Sequence, residues 1–164
     1  LLRLSYSKPA RSSFVRSDLI AKSGRPKSLQ EIIDFFEPLP EAERRDALMI
    51  YAESVSQHVP KDGENFAVNQ SRKDEHCLDE VGVFLETSAD GAVQLRVQLG
   101  DKVQTLTRAL TSILCKGLNG AKPETIRNLP NEFIPRIVGE ELMRQRSRTV
   151  YYVLDRLREA ALQL

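Results

Sequence analysis

The side chains with the widest chemical repertoire in this chain are two thiols, Cys77 and Cys115, and two imidazoles, His58 and His76. No pair of them has the C-x-x-C or H-x-x-x-H spacing that brings two ligands onto one metal ion, so neither a metal site nor a cofactor is expected. No G-x-S-x-G motif marks a serine nucleophile, although a Ser/His/Asp triad is a matter of geometry rather than chain order. Gly117-Leu118-Asn119-Gly120 follows a helical pattern rather than a strand, and no Gly-Lys-Ser/Thr comes after it. It reads as a helix end, not a phosphate loop. Cys115 directly follows Leu114 on an amphipathic stretch and reads as a small buried filler.

Cys77 stands apart. It closes a long polar stretch just before a strand, where a thiol could be presented to a partner's active site. The attacking species in sulfur chemistry is the thiolate, which a positive neighbour or a helix N-terminus favours. In Asp74-Glu75-His76-Cys77-Leu78-Asp79-Glu80, four carboxylates lie within three residues of the sulfur and favour the protonated thiol. His76, Lys73 or a more distant arginine would have to oppose them. On the residues alone, a presented reactive thiol and an unreactive loop thiol both stay open.

The elements that must position Cys77 follow from periodicity. Ser28-Leu29-Gln30-Glu31 has the spacing of a capping box and leads into Leu29, Ile32, Ile33 and Phe36, so a helix is expected from Ser28 until Pro38 stops it. A second helix starts at Pro40 with Leu48, Tyr51, Ala52 and Val55 on one stripe, and the two should pack as an antiparallel pair. From His58 to Asp79 the periodicity disappears, which reads as one long loop of the kind that often carries function. Val81, Val83 and Leu85, then Ser88-Ala89-Asp90-Gly91, then Val93, Leu95, Val97 and Leu99 predict a hairpin around an Asp-Gly turn. Val103, Leu106, Ala109, Leu110, Ile113 and Leu114 predict a central helix. Pro123 opens a short helix, Phe133 to Val138 forms another, and Val150, Val153, Leu154, Leu157 and Ala161 define a long closing one. Helices flanking a hairpin, without alternating βαβ units, give a segregated α+β fold: a small antiparallel sheet packed against several helices.

Composition bounds the rest. The chain has 164 residues, 41% of them hydrophobic and 29% charged, enough for one compact core. No apolar run approaches the ~20 residues of a membrane-spanning helix, so a soluble protein without a membrane partner is expected. Two cysteines make no disulfide framework, which fits a reducing compartment. The net charge of +1 is unevenly spread. Residues 1–28 carry seven bases (Arg3, Lys8, Arg11, Arg16, Lys22, Arg25, Lys27) against Asp18, a net +6 that leaves −5 for the remainder. Residues 1–27 are therefore expected to form a basic arm ahead of a domain over 28–164. The arm has three readings: a solvated tail, an element that orders on an acidic partner, or the border of an organelle-targeting segment, since it is rich in Arg and Ser and poor in acids.

From Ser28 onward the chain resembles the SufE family of sulfur acceptors. The resemblance is carried by Ala109-Leu110-Thr111-Ser112-Ile113-Leu114-Cys115-Lys116-Gly117-Leu118-Asn119-Gly120 with Pro123-Glu124-Thr125-Ile126, similar to the family's K-G-L-S-G and P-E-E-I. Glu132-Phe133-Ile134 and Ser147-Arg148 add to it. The resemblance implies a SufE-like single domain that takes persulfide sulfur from a cysteine desulfurase and hands it to iron–sulfur scaffold proteins, acting as a desulfurase activator rather than a stand-alone enzyme. It places Cys77 as the persulfide acceptor and Arg148 as a supporting residue. Where the family reads G-C-Q-S-Q-V-W, this chain has His76-Cys77-Leu78-Asp79-Glu80-Val81-Gly82. That difference supports an alternative: the fold kept without sulfur transfer as an accessory subunit of a larger organellar assembly, a ribosome or transcription complex, docked through the basic arm to nucleic acid or protein. The family's occurrence in bacteria and plastids, with the acid-poor opening, makes the plastid stroma (chloroplast) the expected location, ahead of the mitochondrial matrix and the bacterial cytoplasm.

Overall fold

In a computed structural model, residues 24–73 and 79–164 are described, without side chains at Lys73 and at 147–150. The order is α1 (Lys27–Phe36), α2 (Glu41–Glu53), a 3-10 turn (Ser54–His58), β1 (Val68–Lys73), β2 (Glu80–Thr87), β3 (Val93–Leu99), α3 (Thr105–Leu118), α4 (Pro123–Arg127), α5 (Ile134–Val138), α6 (Glu140–Val150) and α7 (Tyr152–Ala161). The strands form one antiparallel sheet in the order β1-β2-β3. This is the expected α+β architecture.

The sheet is half-buried because its apolar residues alternate. Val81, Val83 and Leu85 of β2 and Val93, Leu95 and Val97 of β3 are each at most 1% exposed, with Val83 opposite Val97 and Leu85 opposite Leu95. This face packs on α3 and α7. Helix α3 is the hub, buried on nearly every side through Ala109, Leu110, Ile113, Leu114 and Leu118. Cys115 lies among them, fully enclosed, and burial pushes its thiol far above the ordinary range.

Several local expectations are corrected. Helix α1 begins at Lys27, and the Ser28 hydroxyl does not cap it but donates to the Gly117 carbonyl at 2.8 Å. Gly117 explains why. A Cβ there would stand 2.9 Å from Leu29 Cδ1 and 3.1 Å from Leu29 Cα, so its absence lets α1 cross α3 at backbone distance. Helices α1 and α2 do not form a pair of their own; each lies along α3, and the Phe36 and Tyr51 rings meet at 5.7 Å. Arg25, assigned to the basic arm, bonds Glu132 at 2.6 Å with its side chain almost covered; residues 1–23 of that segment lie outside the described residues.

The long stretch from His58 to Asp79 is not all loop. It begins at the end of the 3-10 turn and contains β1, whose Val-Asn-Gln-Ser-Arg-Lys sequence shows no apolar alternation because only Val68 reaches the core. Between them Glu64 holds the connection down, accepting from Arg96 at 2.7 and 3.1 Å and from Gln94 at 2.7 Å, which keeps its carboxyl below the usual range. After α3, Gly120 (φ +86°) turns the chain so that Asn119–Ala121 runs along β3. Gly120 N–H donates to Val93 O, Val93 N–H to Ala121 O, both at 2.8 Å, and Leu95 N–H to Asn119 Oδ1 at 2.9 Å. The motif that resembled a family signature thus closes the sheet edge at β3.

Candidate functional site

Strands β1 and β2 are paired up to Lys73 and Glu80. The intervening segment contains the predicted acceptor Cys77; residues 74–78, with Cys77 and His76, lie outside the described residues. Its two ends are placed, and each is held by charged side chains turned into the protein.

On the β1 side the hold comes from one face of α7, where Tyr152, Arg156 and Glu159 recur at i, i+4 and i+7. Arg156 is 1% exposed. Its guanidinium donates to Gln70 O at 3.3 Å, to Val81 O at 3.1 Å and to Gln70 Oε1 at 3.3 Å, so one cation ties β1 and β2 together toward their Lys73/Glu80 end. Burial, with the Arg72 charge second, lowers its pKa from the usual arginine value, and Tyr152 and Glu159 oppose that shift. Glu159 pairs with Arg72 at 2.7 Å, and the Tyr152 hydroxyl donates to Arg72 O at 3.2 Å.

On the β2 side the hold is Asp79, also 1% exposed. Its Oδ1 accepts the Gln104 N–H at 3.0 Å, and its Oδ2 accepts the Thr107 hydroxyl. Gln104 is the N-cap of α3 and supplies no capping side chain itself. Asp79 therefore does from outside the helix what the glutamate of a capping box does from within it, at the end where the helix dipole favours negative charge. A buried carboxylate costs several kcal/mol of desolvation unless such donors meet it.

Of the four carboxylates near Cys77 in sequence, Asp79 is turned inward and committed to α3, while Glu80 is exposed and takes a 3.3 Å bond from Ser71. Two arginines, Arg72 and Arg156, stand toward the Lys73/Glu80 end of the same hairpin. Arg148 falls on α6 after its break at Arg146 (φ −134°, ψ 27°), and its side chain lies outside the described residues. Arg156, Tyr152 and the docking role of Asp79 were missed from sequence. Arg156 falls three residues after Val153 and four before Ala160, on the apolar stripe of the closing helix, and a charge in that position is the feature that could have revealed it.

Beside the Asp79 anchor lies a groove of about 720 Å³ between α2, the start of α3 and α6. Gln104 lines it, with Leu48, Met49, Leu106 and Leu142. No group of three or more His, Cys, Asp or Glu side chains that could hold a metal ion occurs among the described residues, and no helix there is long and apolar enough to cross a membrane.

The fold is a small α+β domain in which β1 and β2 are tied to α7 through Arg156 and to α3 through Asp79. Residues 30–161 match the family described as "SufE: Fe-S metabolism associated domain", and the chain belongs to that family, which ties it to iron–sulfur metabolism. Its fold is similar to that of a hypothetical protein from Thermus thermophilus, with a TM-score of 0.63 and 24% identity over 85% of this chain and 96% of that one. It is also similar to the N-terminal part of a nitrogen-fixing NifU-like protein from Brucella abortus, with a TM-score of 0.55 and 16% identity over 71% of this chain and 90% of that one. No curated protein matches the chain significantly.

Proposed function

We propose that this protein accepts sulfane sulfur from the active-site persulfide of a cysteine desulfurase and passes it to an iron–sulfur scaffold, with Cys77 as the acceptor. In the accepting step the Cys77 thiolate attacks the terminal sulfur of the partner's Cys–S–SH. The new bond joins Cys77 Sγ to that sulfur, the partner's S–S bond breaks, and the partner's cysteine leaves as the thiolate. The products are a Cys77 persulfide and a free desulfurase cysteine, with no net oxidation. The exchange needs access, orientation and ionisation.

One observation carries the reading: the chain entering and leaving the Cys77 segment is fixed at both ends by buried charged side chains, Arg156 on one side and Asp79 on the other. A loop with no task beyond joining two strands does not call for two buried charges at its feet. Family membership supplies the chemistry that such a loop would serve.

Incubation with a purified cysteine desulfurase and isotopically labelled cysteine tests this directly. Labelled sulfane sulfur is expected on Cys77 by mass spectrometry, absent from Cys77→Ser and retained in Cys115→Ser, whose thiol is enclosed. If Cys77→Ser leaves both sulfur transfer and desulfurase turnover unchanged, the acceptor reading is wrong, and the fold serves a structural role.

A further inference from the structure

We infer that the exposed seam between α1 and α2 is a docking face for an amphipathic helix of another protein, one that carries an apolar stripe flanked by lysine or arginine. The inference stands apart from the acceptor reading of Cys77. The seam meets α3 at Lys116, nine residues beyond Thr107, so along the helix axis it lies about 14 Å from the point where Asp79 is attached.

Three observations converge on this face. Helix α2 carries more apolar surface than the core uses. Ala47, Leu48 and Ala52 are buried, yet Met49 and Ile50 stand 50% and 67% exposed, and Phe35 of α1 is 51% exposed. Single exposed apolar residues are ordinary, but three of the five large ones among the described residues gather on these two helices. Secondly, because α1 and α2 each lie along α3 and not on one another, an open groove of about 560 Å³ separates them. Phe35 lines it from α1, Ala47, Ile50 and Tyr51 from α2, and Lys116 from α3. Its polar groups are engaged inside the protein: the Ser54 hydroxyl donates to Tyr51 O at 2.9 Å and shares a 2.8 Å bond with Ser112, and the Lys116 ammonium lies 5.6 Å from the centre of the Tyr51 ring. A trough between two helices, lined by apolar side chains, has the shape into which a third helix packs.

The third observation is the charge of the rim. Glu43, Asp46 and Glu53 stand seven and four residues before Ile50 and three after it, on its side of α2. All three are exposed, and none forms an ion pair among the described residues. Glu31, four residues before Phe35, adds a fourth carboxylate, offset by Lys27 at 3.6 Å. This pattern selects the occupant. A basic helix meets the rim with opposite charge, whereas an acidic helix or an anionic lipid surface meets like charge. A second copy of this chain fits no better: with two α2 helices antiparallel about Met49 and Ile50, Asp46 of one copy faces Glu53 of the other.

Two synthetic helical peptides with the same leucine stripe, one with lysine and arginine at its polar positions and the other with glutamate, test this by titration into the isotope-labelled full chain, read by amide chemical shifts. The basic peptide is expected to shift amides of α1 and α2 and to bind at least about tenfold more tightly than the acidic one. Ile50→Ser removes exposed apolar surface without changing charge and should weaken the basic peptide by about fivefold or more. Asp46→Lys combined with Glu53→Lys should reverse the preference between the two peptides. The substituted side chains are all exposed, so the variants are expected to melt like the parent. Leu162→Ser, at an equally exposed leucine just beyond α7, is the control and binds like the parent. The inference is overturned if the basic peptide leaves the α1 and α2 amides unmoved, if both peptides bind the parent equally, or if Ile50→Ser binds the basic one as the parent does. It is also overturned if the full chain alone sediments as a dimer that Ile50→Ser dissociates, since the face would then belong to a second copy.

Discussion

The two hairpins of the sheet share β2 yet are held by different physics. The β2–β3 hairpin is stabilised from within: apolar residues face each other along its length, its Ser88–Ala92 turn bonds to itself through Gly91 N–H to Ser88 O at 2.8 Å and Ser88 N–H to Ala92 O at 2.9 Å, and backbone from Asn119–Ala121 covers its edge. The β1–β2 hairpin has one apolar residue on β1, Val68, and is tied down by Tyr152 and Arg156 reaching from α7 and by Asp79 reaching onto the start of α3. One hairpin builds the core and the other carries the loop with Cys77. A hairpin that depends on imported contacts can be loosened without unpacking the core.

That contrast is open to direct test. Leu85→Ala, in the self-sufficient hairpin, removes a fully buried side chain opposite Leu95 and should cost about 2–5 kcal/mol of stability. Under conditions where the variant remains folded, its sulfur transfer should be close to parental. A large loss of transfer in folded Leu85→Ala would mean that the two hairpins are not separable. Arg156→Met reverses the pattern. It keeps the bulk but leaves Gln70 O and Val81 O without their shared donor, a cost of about 1–3 kcal/mol. Amide exchange should accelerate in β1 and the first residues of β2 while β3 stays protected, and transfer should fall by more than it does in Leu85→Ala. Uniform acceleration across the sheet would count against a local clamp.

The same contrast explains what could be read from the residues. Val81 to Leu99 alternate around an Asp-Gly pair, so the β2–β3 hairpin and its buried face were legible, as were the stripes of α3 and α7 and the terminators Pro38 and Gly120. β1 was not, because Val68-Asn69-Gln70-Ser71-Arg72-Lys73 carries no alternation; its strand character comes from pairing with β2 and from Arg156, neither of which is local information. Ser28 and Glu31 matched a capping box in spacing, but the close crossing at Gly117 offered Ser28 a better acceptor. At the site, Cys77 could be singled out by type and place, while the attachment of Asp79 to α3 could not, because Gln104 and Thr107 lie more than twenty residues further along the chain.

Gly91 gives a smaller effect confined to the β2–β3 turn. Its φ of +77° is a conformation that a Cβ strains, and a side chain there would also press on the Lys122 ammonium, which donates to Asp90 O. Gly91→Ala should cost about 1 kcal/mol, read as a lowered urea midpoint, with sulfur transfer unchanged. A transfer defect in this variant would show that the distal turn reaches the Cys77 end of the sheet.

The smallest expected effect comes from protons and falls on the β3 side alone. His58 ends the 3-10 turn that packs on α3 and β3, and burial first, then the charges of Arg96 and Lys116, hold its pKa below the ordinary imidazole value. With an unfolded value near 6.5, the unfolded chain binds the proton more readily. The contribution of neutral His58 to stability is then fully present above about pH 6.5, declines as pH falls toward the lowered folded value, and is gone below it. Because the ring is only half-buried, solvent screens the effect to about half a kcal/mol or less. Urea unfolding at pH 7.5 and 5.0 should show a larger drop for the parent than for His58→Gln, while exchange of the β1–β2 amides responds alike in both. An equal drop in the two proteins would place the acid-sensitive group elsewhere, and a response of β1–β2 that depends on His58 would show that protonation on one side of the sheet is felt at the other.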